Sequence, residues 1–422
     1  MSADVPTTFL ERLRASRLLT AEQIELACAG VGDEEPYLSR YLVQQKLLTR
    51  FQAYQLRLGA ARFHADKYVI VDYLGRGANS VVYKARHIYL PNRFVALKTL
   101  DIRDLHRSGE VLTRFRREIE IVGRLDHPNI VRAYDVLVTR SRVFLVLEYV
   151  DGWDLAKLVS RLGPLPVEDA VGYVIQAARG LSCAHQAAVV HREIKPANLL
   201  VSRDGALKLG DLGLARILSA TPHPEYSAKG VCLGTPEFMA PEQAEDGANA
   251  DFRSDLYSLG TTLYHLLTAE LPVRGSSYLD RLKQLLTAPA RPLKEVRPDV
   301  PNGLAAIVDR LRERDPSVRP SSAEEVIALL EPFGRDTRVQ QAGAWDGRHK
   351  AALVLDVLQG RLTFSRACER FGLSPEEFAR WRRDFLEGGI RALDPLTTPP
   401  HHLREGRLNG LYARARAAKS KN

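Results

Sequence analysis

Over residues 7–61 apolar side chains recur at helical spacing in short runs, which predicts a set of short amphipathic helices. Two stretches echo each other: SRLLTAEQIELA at 16–27 and QKLLTRFQAYQL at 45–56. In each, a Leu-Leu pair precedes a Thr placed to cap the helix that follows. Two copies are too few for a solenoid, so a small helical docking module is expected. From Tyr68 the period shortens to the alternation of strands, through YVIVDYLGRG, SVVYKARHIYL and RFVALKTL. A helical stretch at about 108–125 follows, then two further strands around IVRAYDVLV and RVFLVLEYV. Beyond Asp154 the pattern is mainly helical to about Leu330. Residues 334–347 carry no apolar period and predict a linker, and 348–392 show three more helical patterns. The expected class is α+β, a sheet-rich small lobe followed by a helical large lobe, with small all-α modules at both ends. The expected boundaries are 1–66, 67–333, a linker to 347, 348–395, and a basic tail over 396–422.

Composition adds limits. A hydrophobic share of 45% is ordinary for globular protein and enough for a large core. Charges interrupt every apolar run before the roughly 18 residues a membrane-spanning helix needs. The first residues, MSADVPTTFLERLRAS, lack the basic start and apolar block of a secretory signal. Cys28, Cys183, Cys232 and Cys368 lie far apart without metal-ligand spacing, as reduced thiols of a cytoplasmic protein would. The net charge is +9, and the tail from 401 carries Arg404, Arg407, Arg414, Arg416, Lys419 and Lys421 against Glu405. Such a tail is either a solvated segment or a contact for a polyanion.

Four groups carry chemistry. Gly75-Arg76-Gly77-Ala78-Asn79-Ser80 lies between two strand patterns, where glycines let backbone amides approach phosphate oxygens. Alone this is weak, because hairpins also use glycine and Ser80 stands where a third glycine would complete the motif. Lys98 ends the apolar strand Val95-Ala96-Leu97, and a buried ammonium needs a partner. The helix FRREIEIVGRL offers Glu118, which shares a face with Val122 and Leu125, while Glu120 is expected in solvent. His191-Arg192-Glu193-Ile194-Lys195-Pro196-Ala197-Asn198 and Gly210-Asp211-Leu212-Gly213 complete the set. Asn198 and Asp211 supply the oxygen ligands that suit Mg²⁺.

In this order and spacing, residues 68–333 resemble the bacterial relatives of eukaryotic Ser/Thr protein kinases. The resemblance implies a bilobal protein-kinase fold that transfers the γ-phosphoryl group of ATP, with Mg²⁺, to protein hydroxyls. Gly75 and Gly77 would cover the phosphates and Val82 would pack under the adenine, with Ala96 and Leu200 also in the ATP site. Lys98 would contact the α- and β-phosphates and pair with Glu118. Leu147 would be the gatekeeper, Glu148 to Val150 the hinge, and Asp154 a neighbour of the ribose. Asn198 and Asp211 would hold the metal. Glu242 would pair with Arg319, Asp255 would anchor the catalytic loop, and Lys195 with Thr235 would favour Ser and Thr over Tyr. Arg192 could pair with a phosphorylated residue of the segment between Gly213 and Ala240, where Ser219, Thr221, Ser227 and Thr235 carry hydroxyls.

One position departs from the family. Where it has Asp as the catalytic base, this chain has Glu193, which keeps the carboxylate but extends it by one methylene. A misplacement of about 1 Å at a reacting centre can cost roughly a hundredfold. The expected enzyme is therefore slowed, and the alternatives are an ATP-binding pseudokinase scaffold or a DNA-binding regulator. The last arises because HKAALVLDVLQG, FSRACERFG and SPEEFARWRRDFLEG resemble the helix-turn-helix of insertion-sequence transposases. Within it Ser374 would cap the third helix, Trp381 would be core, and Arg380, Arg382 and Arg383 would face DNA if residues 348–422 bind it. A protein-docking role fits that module equally well.

Overall fold

A computed structural model describes residues 8–77, 80–100, 120, 122–139, 142–212, 236–245, 250–273, 275–334, 347–358, 363–371 and 373–393. Among the sequence-derived site residues, Glu118 and Thr235 lie outside these, as do Ser219, Thr221, Ser227 and Cys232. The chain forms two compact units, residues 1–342 and 343–422.

The first unit opens with four helices: α1 (Phe9–Ser16), α2 (Ala21–Val31), α3 (Glu35–Gln44) and α4 (Arg50–Arg57). The two echoed Thr residues both cap as the sequence implies. Thr20 accepts the amide of Gln23 before α2, Thr49 accepts that of Gln52 before α4, and each Gln side chain returns the bond. Apolar residues such as Leu13, Ile24, Leu38, Leu42 and Leu56 close a private core that reaches Phe63.

Six strands then form an antiparallel sheet in the order β1-β2-β3-β4-β6-β5: β1 (His64–Ala65), β2 (Tyr68–Arg76), β3 (Ser80–His87), β4 (Phe94–Leu100), β5 (Ala133–Val138) and β6 (Val143–Glu148). One face packs Tyr68, Ala85, Val95, Leu97, Phe144 and Val146 together, as period-two alternation requires. Of the helix expected near 108–125, only its end is described. There Val122 and Leu125 pack on the large-lobe core, and Glu120 is exposed beside Arg124.

A second, three-stranded sheet begins the large lobe: β7 (Gly152–Asp154), β8 (Leu199–Ser202) and β9 (Leu207–Leu209). Gly152 permits the crossing, since a Cβ there would lie 1.8 Å from the carbonyl oxygen of Val201. The rest is helical, comprising α5 (Leu155–Leu162), α6 (Val167–Gln186), α7 (Pro241–Glu245), α8 (Phe252–Thr268), α9 (Tyr278–Thr287), α10 (Leu293–Val296), α11 (Asn302–Leu311) and α12 (Ala323–Leu330). Helices α6 and α8 are buried along most of their length, and α8 buries Asp255 and several hydroxyls together with its apolar residues.

The second unit holds α13 (Gly347–Leu358), α14 (Phe364–Phe371) and α15 (Pro375–Leu393). Ser374 accepts the amide of Glu377 at 3.0 Å and caps α15. Leu353, Val354, Ala367, Phe378 and Trp381 are buried, with Phe364 set edge-on to Phe378. No helix among the described residues is long and apolar enough to cross a membrane.

Candidate active site

Lys98 lies on β4, between β3 and β6, and is buried to 4% exposure. Its ammonium meets Asp211 Oδ1 at 2.8 Å. A cation buried this deeply needs a carboxylate, a role the sequence predicts for Glu118, which lies outside the described residues. In the described residues Asp211 performs it, so the strand lysine and the Gly210-Asp211-Leu212 turn face one another across one cleft.

Asp211 reaches that position at φ +60°, and Arg192 sits at φ +67°. Non-glycine residues in this region cost roughly 1–2 kcal/mol each, so the surroundings must impose it. For Arg192 they do so through Asp255, which has no exposed surface. Asp255 Oδ1 accepts the amide of Arg192 at 2.7 Å, and Oδ2 accepts that of His191 at 2.8 Å. Oδ2 also lies 2.8 Å from His185 Nε2, and the carbonyl of Arg192 accepts Gln243 Nε2 at 2.7 Å. His191 then joins the two turns. Its Nδ1 accepts the Glu193 amide, so Nε2 donates to the Gly210 carbonyl at 2.9 Å. That carbonyl belongs to the residue just before Asp211, so one buried ring fixes both acids.

Glu193 and Lys195 form an ion pair. Asn198 donates Nδ2 to the Glu193 carbonyl at 2.8 Å, which leaves its Oδ1 as the unspent acceptor. The site therefore offers a carboxylate at Asp211 and an amide oxygen at Asn198, a donor set suited to a hard divalent cation. Gly75 has no atom within 4 Å of where a Cβ would stand, and a Cβ on Gly77 would meet Ser80 Oγ at 3.0 Å. The turn thus presents bare backbone at Gly75, as a phosphate cradle needs.

The other described sequence-derived positions lie on strands and turns near Lys98 or in the helical lobe. Val82 on β3 pairs with Lys98, and Ala96 pairs with Leu147 on β6. Glu148 turns its carboxylate to Lys208 at 3.0 Å and gives its amide to the Arg132 carbonyl. Among the described residues Val150 has no backbone hydrogen-bond partner. Asp154 pairs with Leu200 in the small sheet, caps α5 and binds Lys157 at 2.8 Å. Leu200 lies under Gly210. Farther away, Glu242 and Arg319 make a two-pronged pair at 2.6 and 2.8 Å. Two features escaped the sequence reading: the Lys98–Asp211 pair and the His191 bridge. Only the geometry of the folded turns reveals them.

The fold is bilobal, with the sheet-rich lobe and the helical lobe meeting at the cleft that holds Lys98 and Asp211. The protein-kinase-domain family model matches residues 68–329, and the chain belongs to that family. A second model, for a helix-turn-helix domain, matches residues 349–402. Relatives include the serine/threonine-protein kinase PknL of Mycobacterium bovis, 37% identical over 64% of this chain and 66% of its own. A probable serine/threonine-protein kinase of Clostridium perfringens is 34% identical over 65% of this chain and 39% of its own. PrkC of Bacillus subtilis is 36% identical over 63% and 40% respectively. The matched stretch thus spans from about two fifths to two thirds of these relatives.

Proposed function

We propose that this chain is a Ser/Thr protein kinase that transfers the γ-phosphoryl group of ATP to protein hydroxyls. The observation that carries this reading is the convergence of Lys98, Asp211, Asn198 and the Glu193–Lys195 pair on one cleft. Named Ser/Thr kinases among its relatives support the same reading. A bound Mg²⁺ would supply charge neutralisation for the transferred phosphoryl group. Asp211 and Asn198 would hold it through the oxygens identified above. Lys98 would release Asp211 toward the metal and take the α- and β-phosphates, with Glu118, one turn before Val122, as its new partner. Backbone at Gly75 and Gly77 would lie over the phosphates. The edge from Glu148 to Val150 would receive the adenine between Val82, Ala96 and Leu200, with Asp154 at the ribose.

Glu193 would orient the acceptor hydroxyl and take its proton, while Lys195 screens the charge between that carboxylate and the incoming phosphoryl group. Phosphoryl transfer rests mainly on positioning and charge neutralisation, and each component of that machinery has its residue here. This favours a working enzyme over a silent scaffold. Labelled ATP with Mg²⁺ should give autophosphorylation that Lys98→Ala reduces by at least about a hundredfold. Wild type equal to Lys98→Ala at background, with ATP still raising thermal stability, would sink transfer and leave only binding.

For the second unit we propose duplex DNA as the partner. The helix-turn-helix match supports this, as do Arg380, Arg382 and Arg383, exposed on α15 beside the buried Trp381. Binding should weaken steeply with salt and vanish on removal of residues 343–422. Salt-independent retention by the truncated chain would contradict it.

A further inference from the structure

The cap of α4 does more than end a helix. Thr49 Oγ1 accepts the Gln52 amide at 3.1 Å and donates its own proton to the carbonyl of Val71 at 2.7 Å. Gln52 Oε1 accepts the Thr49 amide at 3.0 Å, and its Nε2 donates to the carbonyl of Ile70 at 2.8 Å. Four bonds thus tie each side chain to the other residue's amide and to one of two consecutive carbonyls of β2.

Those carbonyls lie where β2 slips register. Ile70 pairs with Ala85 and Asp72 with Lys84, leaving Val71 as an extra residue on its strand. A bulge of this kind breaks the ladder and bends the strand that carries it. On the other edge of β2, β1 pairs only with Tyr68 and Val69, and Phe63 takes the Ile70 amide. The N-terminus of α4 covers the edge at the point where β1 stops, as open sheet edges require. Phe51 on α4 also rests 6.2 Å from the ring of Tyr83 on β3. At the far end of α4, Arg12 Nε donates to the Leu56 carbonyl at 2.7 Å and ties in α1.

The related cap at Thr20 shows what is special here. Thr20 and Gln23 make the same reciprocal bonds, both exposed, and among the described residues their side chains bond to nothing outside that cap. Gln52, by contrast, is buried to 5% exposure.

We propose that Thr49 and Gln52 are positioning residues for nucleotide binding, latching the helical module onto β2 so that the turn from Gly75 is held over the phosphates. The inference rests on the kinase reading above. Val71 stands four residues before Gly75, so the bulge aims the segment that leads into the glycine turn. Releasing the latch would let that segment sample other directions and weaken nucleotide binding, while the Glu193–Asn198 loop would be untouched.

The test compares the full-length chain with Thr49→Val, Gln52→Leu and their double variant, with Thr49→Ser as the conservative rescue. Thr20→Val serves as a control that removes a cap and no latch. The double variant should raise KM for MgATP about three- to tenfold, the effect of losing one net hydrogen bond. Its kcat should stay within about twofold, and amide exchange over residues 72–77 should quicken. Thr49→Ser should restore both readings, and Thr20→Val should move neither. An unchanged KM and unchanged exchange in the folded double variant would overturn the proposal. So would a matching loss from Thr20→Val, which would mark a general effect on stability. Should wild type bind no MgATP, the kinase reading fails by itself. The exchange comparison would then still decide whether the latch holds β2.

Discussion

At the scale of single residues, Glu193 is the position on which the rate of the proposed transfer would turn. Its carboxylate matches the family's in charge, and its pairing with Lys195 keeps it at the cleft. What differs is reach, and reach at a reacting centre is expensive. Glu193→Asp should therefore raise kcat by about tenfold, whereas Glu193→Gln, which cannot take a proton, should lower it by about a hundredfold or more. Single-turnover rates at saturating MgATP separate these outcomes from any change in binding. His265 is a second residue with a measurable signature. Burial lowers its pKa below 6.5, only partly opposed by the bond from its ring to the Glu270 carbonyl. The unfolded chain takes up this proton near pH 6.5 and the folded chain only at lower pH. The stability due to neutral His265 is therefore present above about pH 6.5 and lost as pH falls through the folded value. His265→Asn, which can still donate to Glu270, should show a smaller drop in Tm between pH 7.5 and 5.5 than wild type. An identical drop would assign the pH response to other groups, of which His64 and His127 are also lowered by burial.

At the scale of elements, the large lobe is held by polar pins as much as by its apolar core. The guanidinium of Arg319 is fully buried and joins α7, α8 and the turn that follows α11. It grips both oxygens of Glu242 on α7, and it donates to the carbonyls of Arg253, Glu313 and Arg314. Its plane also lies 4.9 Å from the ring of Tyr257. Removing one partner of such a pair strands the other and leaves three carbonyls unsatisfied. Arg319→Ala should therefore cost about 3–5 kcal/mol in chemical denaturation. Lysine cannot reproduce the forked geometry, so Arg319→Lys should recover only part of that loss. The sequence motif named this pair correctly because both members sit in recognisable surroundings, one after Ala240-Pro241 and the other in the RDPSVRP turn.

At the scale of the whole molecule, the two ends of the chain should respond differently to truncation. Residues 343–422 form their own compact unit. Removing them should leave Tm and nucleotide affinity of the rest nearly unchanged. The N-terminal helices share a core with Phe63 and cover the edge of β2. Removing residues 1–62 should lower Tm by several degrees, since Phe63, Gln52 and Thr49 all contribute across that boundary. Calorimetry of the two truncations distinguishes these expectations.

The fold was legible where pattern and period are strong. The change from helical spacing to alternation at Tyr68 marks β2, although the sheet already begins with the short β1 at His64–Ala65, inside the expected helical module; the Leu-Leu-Thr echo marks two caps that form as expected. The cleft was legible as a list of residues, because kinase motifs pair glycine, lysine, amide and carboxylate in a fixed order. Pairing within the cleft was not legible. That Lys98 meets Asp211 and that His191 bridges two turns depend on contacts between residues up to 113 positions apart, whereas the motif around Asp255 already implies its anchoring of the 191–192 backbone. The echo between residues 16–27 and 45–56 likewise could not tell which Thr faces solvent and which latches β2. Local sequence determines which elements form and which chemistry each carries, since propensity and capping act within a few residues. The partner of each buried charge or carbonyl is chosen only when distant segments close together and exclude water.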